Sequence, residues 1–233
     1  MIYFGTDGIR GKAYETLPLL RAYQLGVAIH KNYPNEKVII GYDTRVSSHD
    51  FLEALIQGLN RQHIVVAGMV PTPAIAYLSM KEHAIGIMIT ASHNPYFDNG
   101  LKVFKYGFKL LENDILALEK DMIKITAFDK EEVSIHESTI VDQYVHFAMS
   151  LPYLQTFEDY VIDAAHGATS ILSKQLFKCH VYYDAPKGGN INESCGATDL
   201  SGLQKVIGKH KVGFAFDGDG DRMLMIMDDR IIY

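Results

Sequence analysis

A chain of 233 residues, 48% hydrophobic and 21% charged with 19 Gly and 7 Pro, has room for one or two globular domains with a packed core. That balance excludes a disordered tail, a collagen repeat and a coiled coil, and a formal charge of −6 with singly scattered Lys and Arg argues against a nucleic-acid binder. No run approaches the ~18 apolar residues of a membrane helix. The opening Met1-Ile2-Tyr3-Phe4-Gly5-Thr6-Asp7 lacks the charged start and apolar stretch of a secretory signal. Cys179 and Cys195 make neither a zinc site nor a disulfide framework. The expectation is a soluble protein of a reducing cytoplasm, with no membrane or nucleic-acid partner.

In chain order, a helical period runs from about Leu19 to Asn32, and Val38 to Asp43 follows as a β-rich run ending in a polar turn. The alternation repeats with a helix from Ser48 to about Asn60, a strand Ile64 to Ala67, a helix Pro71 to His83 and a fully apolar strand Ala84 to Thr90. Apolar strands separated by helices of this length predict a doubly wound α/β domain with a mostly parallel sheet covered on both faces. Ile125 to Ser138 is more polar, and a helix from about Thr139 to Leu151 leads to a boundary near 150. A second cycle gives a strand Tyr160 to Asp163, a helix Ala168 to Phe177, a strand His180 to Tyr183, a helix Asp199 to His210 and a strand Val212 to Phe216. Met223 to Met227 should return on that last strand as a hairpin. The expected architecture is two consecutive three-layer α/β/α domains.

Asp43, Asp163 and Asp217 each end an apolar strand and open a polar loop, at the carboxyl edge where α/β sheets bind ligands. The sharpest of these is Asp217-Gly218-Asp219-Gly220-Asp221-Arg222. Three carboxylates so close repel one another unless a cation neutralises them, and an all-oxygen set suits Mg²⁺ or Ca²⁺. An EF-hand fails, because its sixth loop position should be Gly and is Arg222, and because both flanks read as strands. Asp228-Asp229 reads as an acidic surface turn.

Thr90-Ala91-Ser92-His93-Asn94-Pro95 follows the Ala84 strand. Ser92 lacks a nucleophile elbow, and His93 as its immediate neighbour is poorly placed as a triad base. A hydroxyl sharing a site with a divalent cation is better suited to carrying a phosphoryl group. Basic residues in glycine-containing loops add anion partners: Arg10 in Gly5-Thr6-Asp7-Gly8-Ile9-Arg10-Gly11, Arg45 in Asp43-Thr44-Arg45, and Lys102 in Asp98-Asn99-Gly100-Leu101-Lys102. A lysine in a cationic pocket loses its proton readily and can act as acid or base.

Taken in order, the segment Phe4 to Gly11, the serine loop continuing through Lys102, and the Asp217 to Arg222 loop resemble the α-D-phosphohexomutases over essentially the whole chain. Gly188-Gly189-Asn190-Ile191-Asn192 and Gly196-Ala197-Thr198-Asp199-Leu200 resemble the branch of that family that handles hexosamine phosphates. The resemblance implies interconversion of glucosamine 6-phosphate and glucosamine 1-phosphate through a phosphoserine at Ser92 and a bisphosphate intermediate, with glucose or mannose phosphates as the alternative substrates. One Mg²⁺ would be held by Asp217, Asp219, Asp221 and a phosphate oxygen on Ser92. Lys102 would move a proton, Arg10, His93 and Arg222 would surround the phosphoryl group, and Arg45 and Asn94 would add phosphate or substrate contacts.

The resemblance also implies four domains. Only eleven residues follow Arg222, without a basic, Gly- and Ser-rich phosphate clamp. The chain therefore reads as the first two domains, 1–150 with the serine loop and 151–233 with the metal loop, with domains III and IV absent. That leaves room for a homodimer, and for a two-domain module that binds metal without turnover.

Overall fold

In a computed structural model describing residues 2–60, 62–151, 159–208, 210, 212–227 and 230–232, the alternation of strands and helices is laid out on two sheets. The first is assembled from β1 (Ile9–Lys12), α1 (Leu19–Asn32), β2 (Val38–Tyr42), α2 (Ser48–Leu59), β3 (Ile64–Met69), α3 (Thr72–Lys81), β4 (Ile85–Ile89), β5 (Asp98–Lys105), β6 (Phe108–Lys109), α4 (Glu112–Met122) and α5 (Val141–Ser150). Among the described residues its strand order is β1-β5-β4-β2-β3, with β6 paired to β5. Because side chains alternate along a strand, Ile40 joins a core with α1, α2 and α4 while Ile39 points to α3 on the other face. The strands β2 and β4 are buried along their whole length, as a sheet covered on both sides requires.

The second sheet comprises β7 (Tyr160–Asp163), α6 (Thr169–Leu176), β8 (His180–Tyr182), α7 (Ser201–Ile207), β9 (Val212–Phe216), β10 (Met223–Met227) and β11 (Arg230–Ile232), in the order β11-β10-β9-β7-β8 among the described residues. The hairpin expected between β9 and β10 is present, pairing Phe216 with Met223. The segment 152–158, next to the expected boundary, and Asp228, Asp229 and Tyr233 lie outside the described residues.

The α/β layering agrees with the sequence reading, but the sheets are mixed rather than mostly parallel. Among the described residues only the triplets β3-β2-β4 and β8-β7-β9, at one end of each sheet, are parallel; β5 runs antiparallel to β4, β1 and β6, and β10 runs antiparallel to β9 and β11. The reason is loop length. A parallel neighbour needs a crossover of a dozen residues or more, and the connections 90–97 after β4 and 217–222 after β9 are too short for one. Those two reversals carry the serine motif and the aspartate motif.

Two segments read as loops are strands. Asp98-Asn99-Gly100 opens β5 rather than turning, and Arg10 sits on β1 opposite Gly100. The polar stretch 125–138 is packed against the first sheet: Phe128 stacks on Tyr23 at 4.7 Å, Glu137 accepts a hydrogen bond from the Tyr42 hydroxyl, and the Ser138 N–H donates to the Val66 carbonyl at 2.8 Å. Among the described residues no helix is long and apolar enough to cross a membrane.

Candidate active site

The serine loop leaves β4 with Ser92 fully buried and its φ at +55°, a left-handed conformation that costs a residue with a β-carbon. Closed hydrogen bonding holds it there. The Ser92 N–H donates to Thr90 Oγ1 at 2.8 Å, and Thr90 Oγ1 in turn donates to Asp43 Oδ2 at 2.6 Å. Arg45 lies beneath the loop with a fully buried side chain, and all five of its N–H groups are used. Nε meets Asp43 at 2.9 Å; the other nitrogens donate to the carbonyls of Ser92 at 2.9 Å, Asn94 at 2.8 Å, Asp98 at 2.9 Å and Pro95. Arg45 is thus no phosphate contact, because it has no donor left to offer. The Asn94 side-chain amide closes the loop on Asp98 at 2.9 Å, using one of its two N–H groups.

The aspartate loop comes down on this platform from the second sheet. Asp217 and Asp219 are fully buried, and one carboxylate oxygen from each of Asp217, Asp219 and Asp221 falls within a 4.8 Å cluster. Ser92 Oγ donates to Asp217 Oδ2 at 2.6 Å across 125 residues of sequence. The approach is so close that a β-carbon at Gly218 would stand 2.7 Å from the Ser92 carbonyl oxygen, so only glycine fits there. The Thr72 N–H at the start of α3 donates to the Asp219 carbonyl at 2.8 Å, and its hydroxyl donates to the Asp219 carboxylate.

Charge in this loop is unevenly balanced. Burial, then the neighbouring charge of Asp219, pushes Asp217 up to about 7. Asp219 moves the other way; burial opposes its charge, but Lys102 outweighs that and holds its carboxyl below the ordinary value. Lys102, on β5, places Nζ 2.6 Å from both Asp219 and Asp221 and 3.2 Å from Asp7. Its surroundings are therefore anionic, not the cationic pocket expected from sequence. Burial works against the ammonium, yet these carboxylates raise its pKa and keep it protonated.

Around the rim, Arg10 donates to Asp7 at 2.6 Å and shares an open cleft of about 540 Å³ with Arg222, Tyr3 and the Phe4 to Gly8 loop. His93 Nδ1 lies 3.5 Å from Ser92 Oγ, and burial followed by Arg222 and Arg10 lowers its pKa, favouring the neutral ring. Of the three strand-end aspartates, only Asp217 accepts the Ser92 hydroxyl among the described residues. Asp43 is committed to Arg45, and Asp163 accepts the N–H groups of Ala165 and Gly196 at 2.9 and 2.8 Å, bracing its own lobe.

The donor set suits a hard divalent cation. Asp219 Oδ1 is buried with no hydrogen-bond partner, and the three carboxylates with the Ser92 hydroxyl make an all-oxygen set. Residues 1–129 match the family described as phosphoglucomutase/phosphomannomutase, alpha/beta/alpha domain I. The chain belongs to the phosphoglucomutase/phosphomannomutase family. Similar proteins in that family include the phosphoglucosamine mutase of Wolinella succinogenes, 39% identical over 99% of this chain and 57% of the relative. That of Coxiella burnetii is 40% identical over 96% of this chain and 55% of the relative. A phosphoglucomutase/phosphomannomutase family protein from Burkholderia thailandensis superposes with a TM-score of 0.82 at 29% identity, covering 99% of this chain and 56% of its own. The chain thus spans about half the length of the phosphohexomutases it matches.

Sequence reasoning did not assign Asp7, Thr72, Thr90 or Asn192, all of which touch this site or its platform. Asp7 and Thr90 lie inside the quoted motifs, and Asn192 ends the Gly188 motif; Thr72 carries no local signal.

Proposed function

We propose that this chain is the phosphoryl-carrying part of a phosphoglucosamine mutase, with Ser92 as the carrier. The observation that supports this best is the 2.6 Å hydrogen bond joining Ser92 Oγ to Asp217, which couples a hydroxyl on one lobe to a carboxylate cluster on the other. Asp217, Asp219, Asp221 and the Ser92 oxygen would hold Mg²⁺, which when bound supplies positive charge to the phosphoryl oxygens.

In the loading step Ser92 Oγ attacks phosphorus of a sugar bisphosphate, and the bond from phosphorus to the sugar oxygen breaks. Asp217 Oδ2 at 2.6 Å and His93 Nδ1 at 3.5 Å are the acceptors at hand for the Ser92 proton. The sugar oxygen leaves with the bonding pair and takes a proton from Lys102, which its carboxylate neighbours keep charged. Transfer to a sugar monophosphate reverses these steps. Arg10 and Arg222 line the cleft through which the phosphate arrives.

Because the relatives are about twice as long, phosphate uptake rather than turnover is the direct readout. Incubation with glucosamine 1,6-bisphosphate and Mg²⁺ should add one phosphoryl group by intact-mass spectrometry, and Ser92→Ala should add none. Uptake that persists in Ser92→Ala would refute the assignment. The name of the matched family supports a second reading, with glucose or mannose phosphates as substrates. Faster loading from their bisphosphates would favour that reading over glucosamine.

A further inference from the structure

Beyond the groups that meet the phosphoryl centre, one side chain from the second lobe reaches into the serine loop itself. Asn192 Nδ2 donates to the Ser92 carbonyl at 3.0 Å and to the Asn94 carbonyl at 3.2 Å. These are the two carbonyls that a single terminal nitrogen of Arg45 holds from below, at 2.9 and 2.8 Å. The turn of the loop is therefore gripped by donors from two sides, one rooted in each lobe. Asn192 has little freedom in this. Its φ is +60°, its own N–H is tied to the Ala165 carbonyl at 2.9 Å, and Gly218 packs against its amide. The opposite amide orientation would set its oxygen against two carbonyl oxygens, so the donor role fixes which way the side chain points.

We propose that Asn192 is a positioning residue for Ser92, making the geometry of the phosphoryl carrier depend on the docking of the second lobe. Arg45 holds the loop to its own lobe whether or not the second lobe is seated. Asn192 adds its two hydrogen bonds only when that lobe is seated, at the moment Asp217 also reaches Ser92 Oγ. Carrier and cation ligands are thereby set together rather than independently. The proposal rests on the reading of Ser92 as the carrier, and the decisive experiment does not.

Hydrogen exchange on the whole chain compares wild type with Asn192→Ala and Asn192→Asp. Asp has nearly the shape of Asn but cannot donate when ionised. If a donor is what matters, both variants should speed exchange of the Ser92, Asn94 and Asp98 amides by about tenfold, Asp at least as much as Ala, with the β2 and β4 amides unchanged. Unchanged loop exchange in both variants overturns the proposal, as does an Asp variant that behaves like wild type. A second readout separates positioning from general stability. The rate of phosphate uptake should fall about tenfold in Asn192→Asp while Mn²⁺ affinity, measured by electron paramagnetic resonance, stays within about twofold. Loosened exchange with normal uptake would overturn the positioning role. Absence of uptake in wild type would instead sink the carrier reading and leave exchange to judge the coupling between lobes.

Discussion

The loops after β4 and β9 do the same topological job, turning a parallel strand into an antiparallel neighbour, yet their buried polar groups are satisfied to very different degrees. In the serine loop every donor of Arg45 is matched, and Asp43 has Arg45, Thr90 and Ser48 around it. Burial pushes the Asp43 carboxyl up, and the Arg45 guanidinium with the hydrogen bonds from Thr90 and the Arg45 N–H pulls against that. In the aspartate loop Asp217 faces another carboxylate, with a hydroxyl and the Arg222 N–H as its compensation, and Asp219 keeps an unpartnered buried oxygen. A closed buried network fixes geometry. An open one of a single sign stores an affinity for something of the opposite sign, which is why equal burial at two strand ends signals scaffold in one case and chemistry in the other.

The largest effect should come from breaking the closed network. Arg45→Met removes one partner of a fully buried ion pair and takes one donor from each of four loop carbonyls, so urea unfolding should show a loss of about 3–5 kcal/mol. A loss under about 1 kcal/mol would mean that the network is not closed in solution. The comparison is then sharpened by making one change at both strand ends. Asp43→Asn strands the Arg45 charge and should cost about 2–3 kcal/mol. Asp217→Asn relieves carboxylate repulsion and, with no divalent ion present, should be neutral or stabilising by about 1 kcal/mol. Adding Mn²⁺ should raise the melting temperature of wild type and of Asp43→Asn, and not that of Asp217→Asn. The same sign of change for both substitutions in metal-free buffer would erase the distinction between the two loops.

How much of this is legible in sequence depends on whether the needed partner is local. The aspartate loop announces itself because its repulsion is contained within Asp217 to Asp221, and strand flanks rule out a calcium loop. Core strands and most helices are equally visible, since their apolar period is local. β1 and β5 are not: Gly11, Gly100 and the Asp98-Asn99-Gly100 turn signature argue against strands, and only pairing across about ninety residues, Arg10 with Gly100, makes them so. Arg45 reads as an anion-binding loop cation for the same reason, because its carbonyl acceptors arrive 47 to 53 residues later. The sequence puts Lys102 near the right loop but in the wrong field, since Asp7, Asp219 and Asp221 converge on it only in three dimensions. α4 is a different case. Ile115, Leu118 and Met122 carry a readable helical spacing, so this helix is legible from the chain although it is not among the elements expected above.

The third strand-end aspartate offers a pH test of the scaffold side. Burial raises Asp163 to about 6, and the two N–H groups it accepts only partly offset that. A carboxyl whose folded pKa exceeds its unfolded value of 3.8 binds its proton more tightly in the native state. Its contribution is therefore greatest below about pH 4, is lost as pH climbs to about 6, and stays lost above that. Relative to Asp163→Asn, wild-type stability should fall by about 1–3 kcal/mol between pH 4 and 7 in urea titrations. Parallel profiles for the two proteins would show that Asp163 is solvated enough to titrate normally.

The smallest expected effect concerns the strap that carries Arg10 to the cleft. Glu119 on α4 accepts three consecutive backbone N–H groups, from Ile2, Tyr3 and Phe4, on one carboxylate oxygen at 2.8, 2.7 and 2.9 Å. Burial opposes its charge, but these donors win and hold its pKa below the ordinary value. The arrangement resembles the closed network around Arg45 in placing one buried charge against several backbone dipoles, although here the charge is negative and the dipoles are N–H groups. Glu119→Gln keeps the shape and one carbonyl oxygen while removing the charge, so the cost in stability should be only about 1 kcal/mol. Exchange of the Tyr3 and Phe4 amides should nonetheless quicken several-fold, with the β2 amides unaffected. If those amides exchange at the wild-type rate, the carboxylate is not what anchors the strap, and packing of Phe4 into the first core must hold the Arg10 side of the cleft by itself.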